Sequence, residues 1–223
     1  MGFVVAVDGP AGSGKGTITK IVADKMDLVS IDTGAMYRCV ALEMINKNVS
    51  MDELDKIKDI LEEIKIELKR ENDIPKVYLN GNDVSREIRT ESVTKFVSPV
   101  SKIKEVREKL TEWQREMGEN QNIIMEGRDI GTTVFPNADV KIYLDATPEE
   151  RAKRRYEQNK EAGITGMTYE EILENVKQRD FNDSNREIAP LRKAEDAILV
   201  DSTNMTIDEV VQTIINIIKE VKA

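Results

Sequence analysis

The sequence predicts an α/β fold: a five-stranded parallel sheet with helices on both faces, plus a small antiparallel-strand insert and a short lid. Three observations predict it. Five short runs rich in Val and Ile, each bounded by polar residues, have the length and composition of buried parallel strands. Apolar residues at helical spacing fill the stretches between them, and strand alternating with helix implies right-handed crossovers. A glycine-rich stretch joins the first run directly to the first helical pattern.

The first strand is FVVAV at 3–7, followed by the stretch VDGPAGSGKGT and a helix with Ile18, Ile21, Val22 and Lys25 at helical spacing. LVSI at 28–31 is the second strand, and Thr33 is placed to cap the helix after it. Residues 64–84 break the alternation. There IKIEL has period two, NDIP turns the chain and KVYLNGNDV carries an Asn-Gly turn, which together read as an inserted antiparallel hairpin. Residues 86–120 read as two helices split near Ser98-Pro99, because proline disfavours helix at the residue before it. NIIM at 122–125, VKIYL at 140–144 and AILV at 197–200 supply the other three strands. Ile207, Val210, Val211, Ile214, Ile215 and Ile218 mark a final amphipathic helix. The layout is a core of residues 1–40 and 120–223, with a lid at about 155–168 and an insert at 45–110.

The chain has 223 residues, with 33 Lys and Arg against 42 Asp and Glu, a net charge of −9. Such an acidic chain is a poor general binder of nucleic acid or anionic membrane, so an anionic ligand needs a local cluster of Arg and Lys. There is no histidine, which removes histidine bases, histidine metal sites and Ser-His or Cys-His nucleophiles. The single Cys39 forms no internal disulfide and offers no zinc site, in keeping with a reducing cytoplasm. The apolar start MGFVVAV is too short for a signal peptide or membrane span. A cytoplasmic protein is expected, and a monomer, since nothing demands a dimer.

In VDGPAGSGKGT, Gly9, Gly14 and Lys15 match the pattern G-x-x-x-x-G-K-[ST] between a strand and a helix, the context of a P-loop. Backbone amides of Gly9, Pro10, Ala11, Gly12, Ser13, Gly14, Lys15, Gly16 and Thr17 (the proline excepted) and the helix N-terminus then converge on phosphate oxygens. Lys15 reaches the β- and γ-phosphates of a nucleoside triphosphate such as ATP. Where a magnesium-binding hydroxyl is expected the chain has Gly16, and Thr17 comes one residue late. The order GKGT resembles the nucleoside monophosphate kinase group, which implies magnesium held mainly by phosphates and water.

Four further features are each open to two readings. Asp8, Asp32, Glu126, Asp145 and Asp201 directly follow the five strand runs. They are either caps of the following loops or an acidic edge for magnesium and water. Tyr37 and Arg38 follow Thr33 by about one turn, giving a second anion site or a surface arginine on a capped helix. Arg128 and Asp129, after NIIM, form a structural ion pair or a reader of phosphate and exocyclic amine. Arg151, Arg154 and Arg155 share a helix face, as a solvated ladder or as cations that close over a triphosphate, with the polar stretch QNKEAGITGMT at 158–168 as lid.

The motifs GPAGSGKGT, DTGAMYR, EIRTESVTKFVSPVS, GRDIGT, FPNADVKIYLDATPEERAKRR and RDFNDSNREIAPL, in that order across nearly the whole chain, resemble those of bacterial cytidylate kinases. The resemblance implies phosphorylation of CMP and dCMP by ATP. It implies that Thr33, Tyr37 and Arg38 face the acceptor nucleotide and that Arg38 and Arg128 hold its phosphate. It further implies that Ser98, Arg107 and Asp129 read the cytosine edge. Arg179 and Asp183 would bind the sugar region, with Arg186 nearby. By spacing alone, Arg179, Asp183 and Arg186 share one helix face and are equally a solvated ion-pair ladder. The family commonly has Asp where this chain has Glu126, so that acid is either structural or magnesium-linked.

An acceptor phosphate is already ionised, so such a reaction needs no general base, in keeping with the missing histidine. Catalysis falls to alignment and charge neutralisation by Lys15, Arg128, Arg151, Arg154, Arg155 and magnesium. The rival readings are a P-loop kinase for another acceptor (UMP, AMP or a small alcohol such as shikimate) and a nucleotide-switched binding module.

Overall fold

The computed structural model describes residues 2–71, 74–161, 163 and 166–222. The chain divides into two compact units, Met1–Ser30 with Gly118–Ala223, and Ile31–Met117. The first division therefore falls at residue 30, inside the second strand, where the sequence had suggested 40.

The first unit is built on β1 (Val4–Asp8), β6 (Ile123–Gly127), β7 (Val140–Asp145) and β8 (Ile198–Asp201), with β2 (Val29–Asp32) completing the order β2-β6-β1-β7-β8. β1 lies between β6 and β7 and pairs in parallel with both, Val5 opposite Ile124 and Val140. Alternation along the strands sends Val5, Val7, Ile124, Ile142, Leu144 and Val200 to one face. There they pack with Ile18 and Val22 of α1 (Lys15–Met26) and with Val210, Val211, Ile214 and Ile218 of α8 (Ile207–Lys222). Each such side chain contributes about 1.5–3 kcal/mol of burial. Val4, Ala6, Ile123 and Met125 are buried on the opposite face. All five predicted strands form; β1, β2 and β8 are shifted one residue toward the C-terminus, β7 is one residue longer and β6 ends two residues later, so Asp8, Asp32, Asp145 and Asp201 close their strands and Glu126 lies one residue before the end of its own.

Three of these five acids cap loops. Asp32 accepts from the Ala35 amide, Asp145 from that of Ala146 and Asp201 from that of Thr203. The cap of the helix after β2 is thus Asp32, not the predicted Thr33, which is the buried first helical residue. The strand ends one residue later than predicted, placing the carboxylate at the capping position.

The first unit also carries α6 (Pro148–Glu161) and α7 (Tyr169–Ser184). α7 starts in a full capping box between Thr168 and Glu171. α6 continues to Glu161, so the beginning of the predicted lid at 155–168 is helix. Residues 162, 164 and 165 of that lid lie outside the described residues.

The second unit holds α2 (Thr33–Asn46), α3 (Leu54–Glu63), α4 (Glu91–Val100) and α5 (Lys104–Met117), with β3 (Ile66–Glu71), β4 (Ile74–Leu79) and β5 (Asn82–Asp83) as an antiparallel sheet. Met36, Val40 and Met44 of α2, Ile57 and Ile60 of α3, Val93 and Val97 of α4 and Leu110 of α5 share its core. Asn80 and Gly81 both take positive φ, 51° and 81°, so the predicted Asn-Gly turn is a hairpin turn that adds β5 to the sheet. The predicted NDIP turn begins at residues 72–73, outside the described residues. The helix break near Ser98-Pro99 falls later than predicted: Pro99 sits in the last turn of α4. Its missing N–H costs one bond only, and the helix stops a residue later, with the Ser101 amide donating to the Val97 carbonyl.

Candidate active site

The loop from Gly9 to Gly14 joins β1 to α1. Gly9 cannot be replaced, because a Cβ there would lie 2.0 Å from the Leu144 carbonyl oxygen. Gly14 takes φ 90° and starts α1 with no side-chain cap, so the first helical amides keep their donors for an anion. Lys15 is buried, and its Nζ donates to the carbonyls of Gly9 (2.8 Å) and Pro10 (2.7 Å) and to Ser13 Oγ (3.3 Å). Burial pushes Lys15 down to about 7; Arg128 and Arg179 add to the shift, and Glu126 and Asp8 oppose it.

Gly16 lies beside the end of the Glu126 side chain. A Cβ on Gly16 would come 2.9 Å from Glu126 Oε1, so the carboxylate of β6 lies against the position that a Ser or Thr side chain would need.

Asp8, at the end of β1, is buried and accepts from the amides of Ile130 (2.8 Å) and Gly131 (2.7 Å). Burial raises it to about 6 despite these bonds; Asp129 adds to the rise and Lys15 opposes it. The segment it holds makes one wide turn, with the Phe135 amide donating to the Ile130 carbonyl. Immediately before that turn, Arg128 Nε donates to Asp183 Oδ2 at 3.0 Å, and Arg186 Nη2 donates to Asp129 Oδ1 at 2.9 Å. Arg186 and Asp129 are both buried. Arg128 and Asp129 thus pair with different partners, not with each other. Arg186 is not on the predicted helix face, because α7 ends at Ser184. Arg186 reaches Asp129 from the segment after the helix, where its Nε also donates to the Ala189 carbonyl. Arg179 is half-buried on α7, and its charge is felt at Lys15.

The three arginines of α6 separate by burial. Arg151 is buried and uses four of its five donors: Nε donates to the Ala146 carbonyl, Nη1 to the Ala11 carbonyl, and Nη1 and Nη2 grip Asp180 at 3.0 and 2.6 Å. Arg154 is half-buried between Glu150 and Ser202, donating to the Ser202 carbonyl at 2.6 Å. Arg155 is exposed. Nothing in the sequence pairs Arg151 with Asp180, which is the residue next to the predicted Arg179.

The second unit brings its predicted residues together on α2, α4 and α5. Arg38 Nη1 donates to Thr94 Oγ1 at 2.9 Å and to the Ile88 carbonyl. Buried Arg107 lies over the Tyr37 ring at 5.6 Å and donates to the Ser101 carbonyl. Ser98, half-buried on α4, accepts at its carbonyl from Ser101 Oγ. Thr94 was missed by sequence reasoning.

A glycine-rich loop between a central parallel strand and a helix, with a buried lysine over its carbonyls, defines a P-loop nucleotide-binding protein. The sequence model described as cytidylate kinase matches residues 5–220, and the chain belongs to that family. It is 49% identical over 217 residues to a cytidylate kinase of Caldicellulosiruptor saccharolyticus, covering 97% of this chain and 96% of the relative. It is 45% identical over 216 residues to one from Bacillus subtilis, with 97% and 96% covered. Among solved structures, an uncharacterized protein from Eubacterium ventriosum shares the fold at a TM-score of 0.54 and 12% identity, with 99% of each chain covered.

Proposed function

We propose that this chain transfers the γ-phosphoryl group of ATP to CMP and dCMP, giving CDP and dCDP. The observation that carries the proposal is a cytidylate kinase family match over residues 5–220 in a chain that keeps the loop lysine and the Arg128–Asp129 segment. Loop amides and Lys15 hold the donor phosphates. Thr33, Tyr37 and Arg38 face the acceptor nucleotide, Arg38 and Arg128 take its phosphate, Ser98, Arg107 and Asp129 the cytosine edge, and Arg179 and Asp183 the sugar side, with Arg186 nearby. The acceptor oxygen attacks without a base, so the chain's work is alignment and charge neutralisation. Arg154 and Arg155 serve the donor from α6. Arg151 supports the loop through the Ala11 carbonyl.

Magnesium fits this chemistry as a lightly held ion. The described residues contain no cluster of three metal-ligating side chains, and the loop offers the exposed Thr17 hydroxyl as a hard oxygen donor. When bound, the ion would be held by the donor phosphates, water and the Thr17 hydroxyl, and would supply charge neutralisation for the transferring group.

The net charge of −9 supports a protein that works on small molecules rather than nucleic acid or membrane. No helix among the described residues is long and apolar enough to cross a membrane. A substrate panel tests the proposal: ATP, magnesium and one acceptor at a time among CMP, dCMP, UMP, AMP and shikimate. Turnover with CMP and dCMP is expected. Preference for UMP, AMP or shikimate, or hydrolysis with no acceptor used, overturns it.

A further inference from the structure

We propose that Asp8 is a positioning residue that clamps the acceptor-reading segment to the phosphate loop, so that acceptor capture depends on its carboxylate accepting two backbone amides at once. The inference rests on the reading of Arg128 and Asp129 as acceptor contacts. Asp8 immediately precedes Gly9, whose carbonyl accepts from Lys15 Nζ. One carboxylate oxygen accepts from Ile130 N at 2.8 Å and the other from Gly131 N at 2.7 Å. These are the first two amides after Asp129, so the clamp sets where Arg128 and Asp129 stand relative to the loop. Gly131 is wedged into it: a Cβ there would meet Asp8 Oδ2 at 3.4 Å and the Lys141 stem at 3.2 Å. Lys141 is itself fixed, its Nζ donating to both oxygens of Asp196 at 2.9 and 2.7 Å. The Gly131 position is thus packed against both the carboxylate and a buttressed lysine stem.

The clamp needs two acceptor oxygens, which only the carboxylate supplies. A protonated Asp8, or an asparagine, presents a donor toward one of the amides and keeps a single bond. The charged and titratable groups around Asp8 are Lys15 from α1, Asp129 ahead of the turn, and Lys141 and Tyr143 from β7. Burial, with Asp129, holds Asp8 near 6, so the clamp loosens within an accessible pH range.

The experiment compares wild type with Asp8→Asn and Gly131→Ala, measuring KM for CMP and for ATP separately, and kcat, from pH 5 to 8. At pH 8, Asp8→Asn is expected to raise KM for CMP roughly ten-fold, the effect of one lost bond to a charged group. KM for ATP stays near wild type. The wild-type advantage in KM for CMP shrinks as pH falls through about 6, toward the value of Asp8→Asn. The acceptor's own phosphate titrates equally in both proteins, so it cancels in the ratio. Gly131→Ala, whose Cβ crowds the Lys141 stem at 3.2 Å and meets Asp8 Oδ2 at 3.4 Å, gives the same CMP-selective loss. Thermal midpoints of the variants show whether each is folded. An equal rise in both KM values, no rise in either, or a wild-type-to-variant ratio flat across this range overturns the inference. A wild type that does not turn over CMP overturns the functional reading instead, and the two failures are distinct.

Discussion

Arg151→Met separates a strut from a catalyst. Arg151 is 2% exposed and makes four hydrogen bonds, two of them to Asp180, which it grips at 3.0 and 2.6 Å. Removing one partner of a buried ion pair costs about 3–5 kcal/mol. The Asp180 side chain keeps 24% of its surface in water, and methionine refills the stem, which places the loss at the low end, about 3 kcal/mol. For a chain of 223 residues that is roughly 6–12 °C of thermal midpoint. Because the Ala11 carbonyl loses its donor, the loop relaxes, and kcat/KM for CMP should fall roughly ten-fold, much as losing one hydrogen bond would. Urea unfolding followed by circular dichroism gives the first quantity and a coupled ADP assay the second. Asp180→Asn should show part of the stability loss, and the double variant should cost less than the sum of the singles. A variant within about 1 kcal/mol of wild type that loses roughly 100-fold or more in kcat would refute the strut and make Arg151 a direct partner of the transferring phosphoryl group.

Other variants probe the remaining parts. Lys15→Ala should lose roughly 100-fold or more of turnover, with circular dichroism showing an intact fold. Gly16→Ser places a Cβ 2.9 Å from Glu126 Oε1 and should weaken ATP binding, measured by titration calorimetry; adding Glu126→Asp, one methylene shorter, should recover part of it. Asp129→Ala should damage CMP phosphorylation far more than slow ATP hydrolysis, and, by leaving Arg186 buried without its 2.9 Å partner, lower stability by about 3 kcal/mol in urea. Asp8 also predicts a pH-dependent stability term. Its folded value of about 6 lies above the ordinary 3.8, so its contribution is fully present below about 3.8 and lost as pH rises through about 6. The shift corresponds to ~3 kcal/mol. The stability difference between Asp8→Asn and wild type should therefore change in the variant's favour across that window.

The sheet was legible because its strands are contiguous Val- and Ile-rich runs whose period is set by burial on both faces. The loop was legible because its glycines, lysine and following helix are local in sequence. What was not legible depends on long-range pairing. Arg151 meets Asp180 across 29 residues and Asp8 meets Gly131 across 123. No spacing rule connects such positions. Arg186 was placed on a helix that ends two residues too soon, yet it still reaches Asp129, because the segment after α7 turns back. The arginines of α6 share a helix face by spacing, but burial gives them three different surroundings. Thr33 lost its capping role to Asp32 through a one-residue shift of a strand end, the least predictable feature of any element.

The central claim is transfer to a cytosine nucleotide, and a competition measurement tests it most directly. ATP, magnesium, and equal CMP and UMP are incubated with the protein, and products are followed by phosphorus NMR. The account predicts CDP appearing one for one with ADP while UMP persists. ADP without CDP, or UDP formed ahead of CDP, would contradict it.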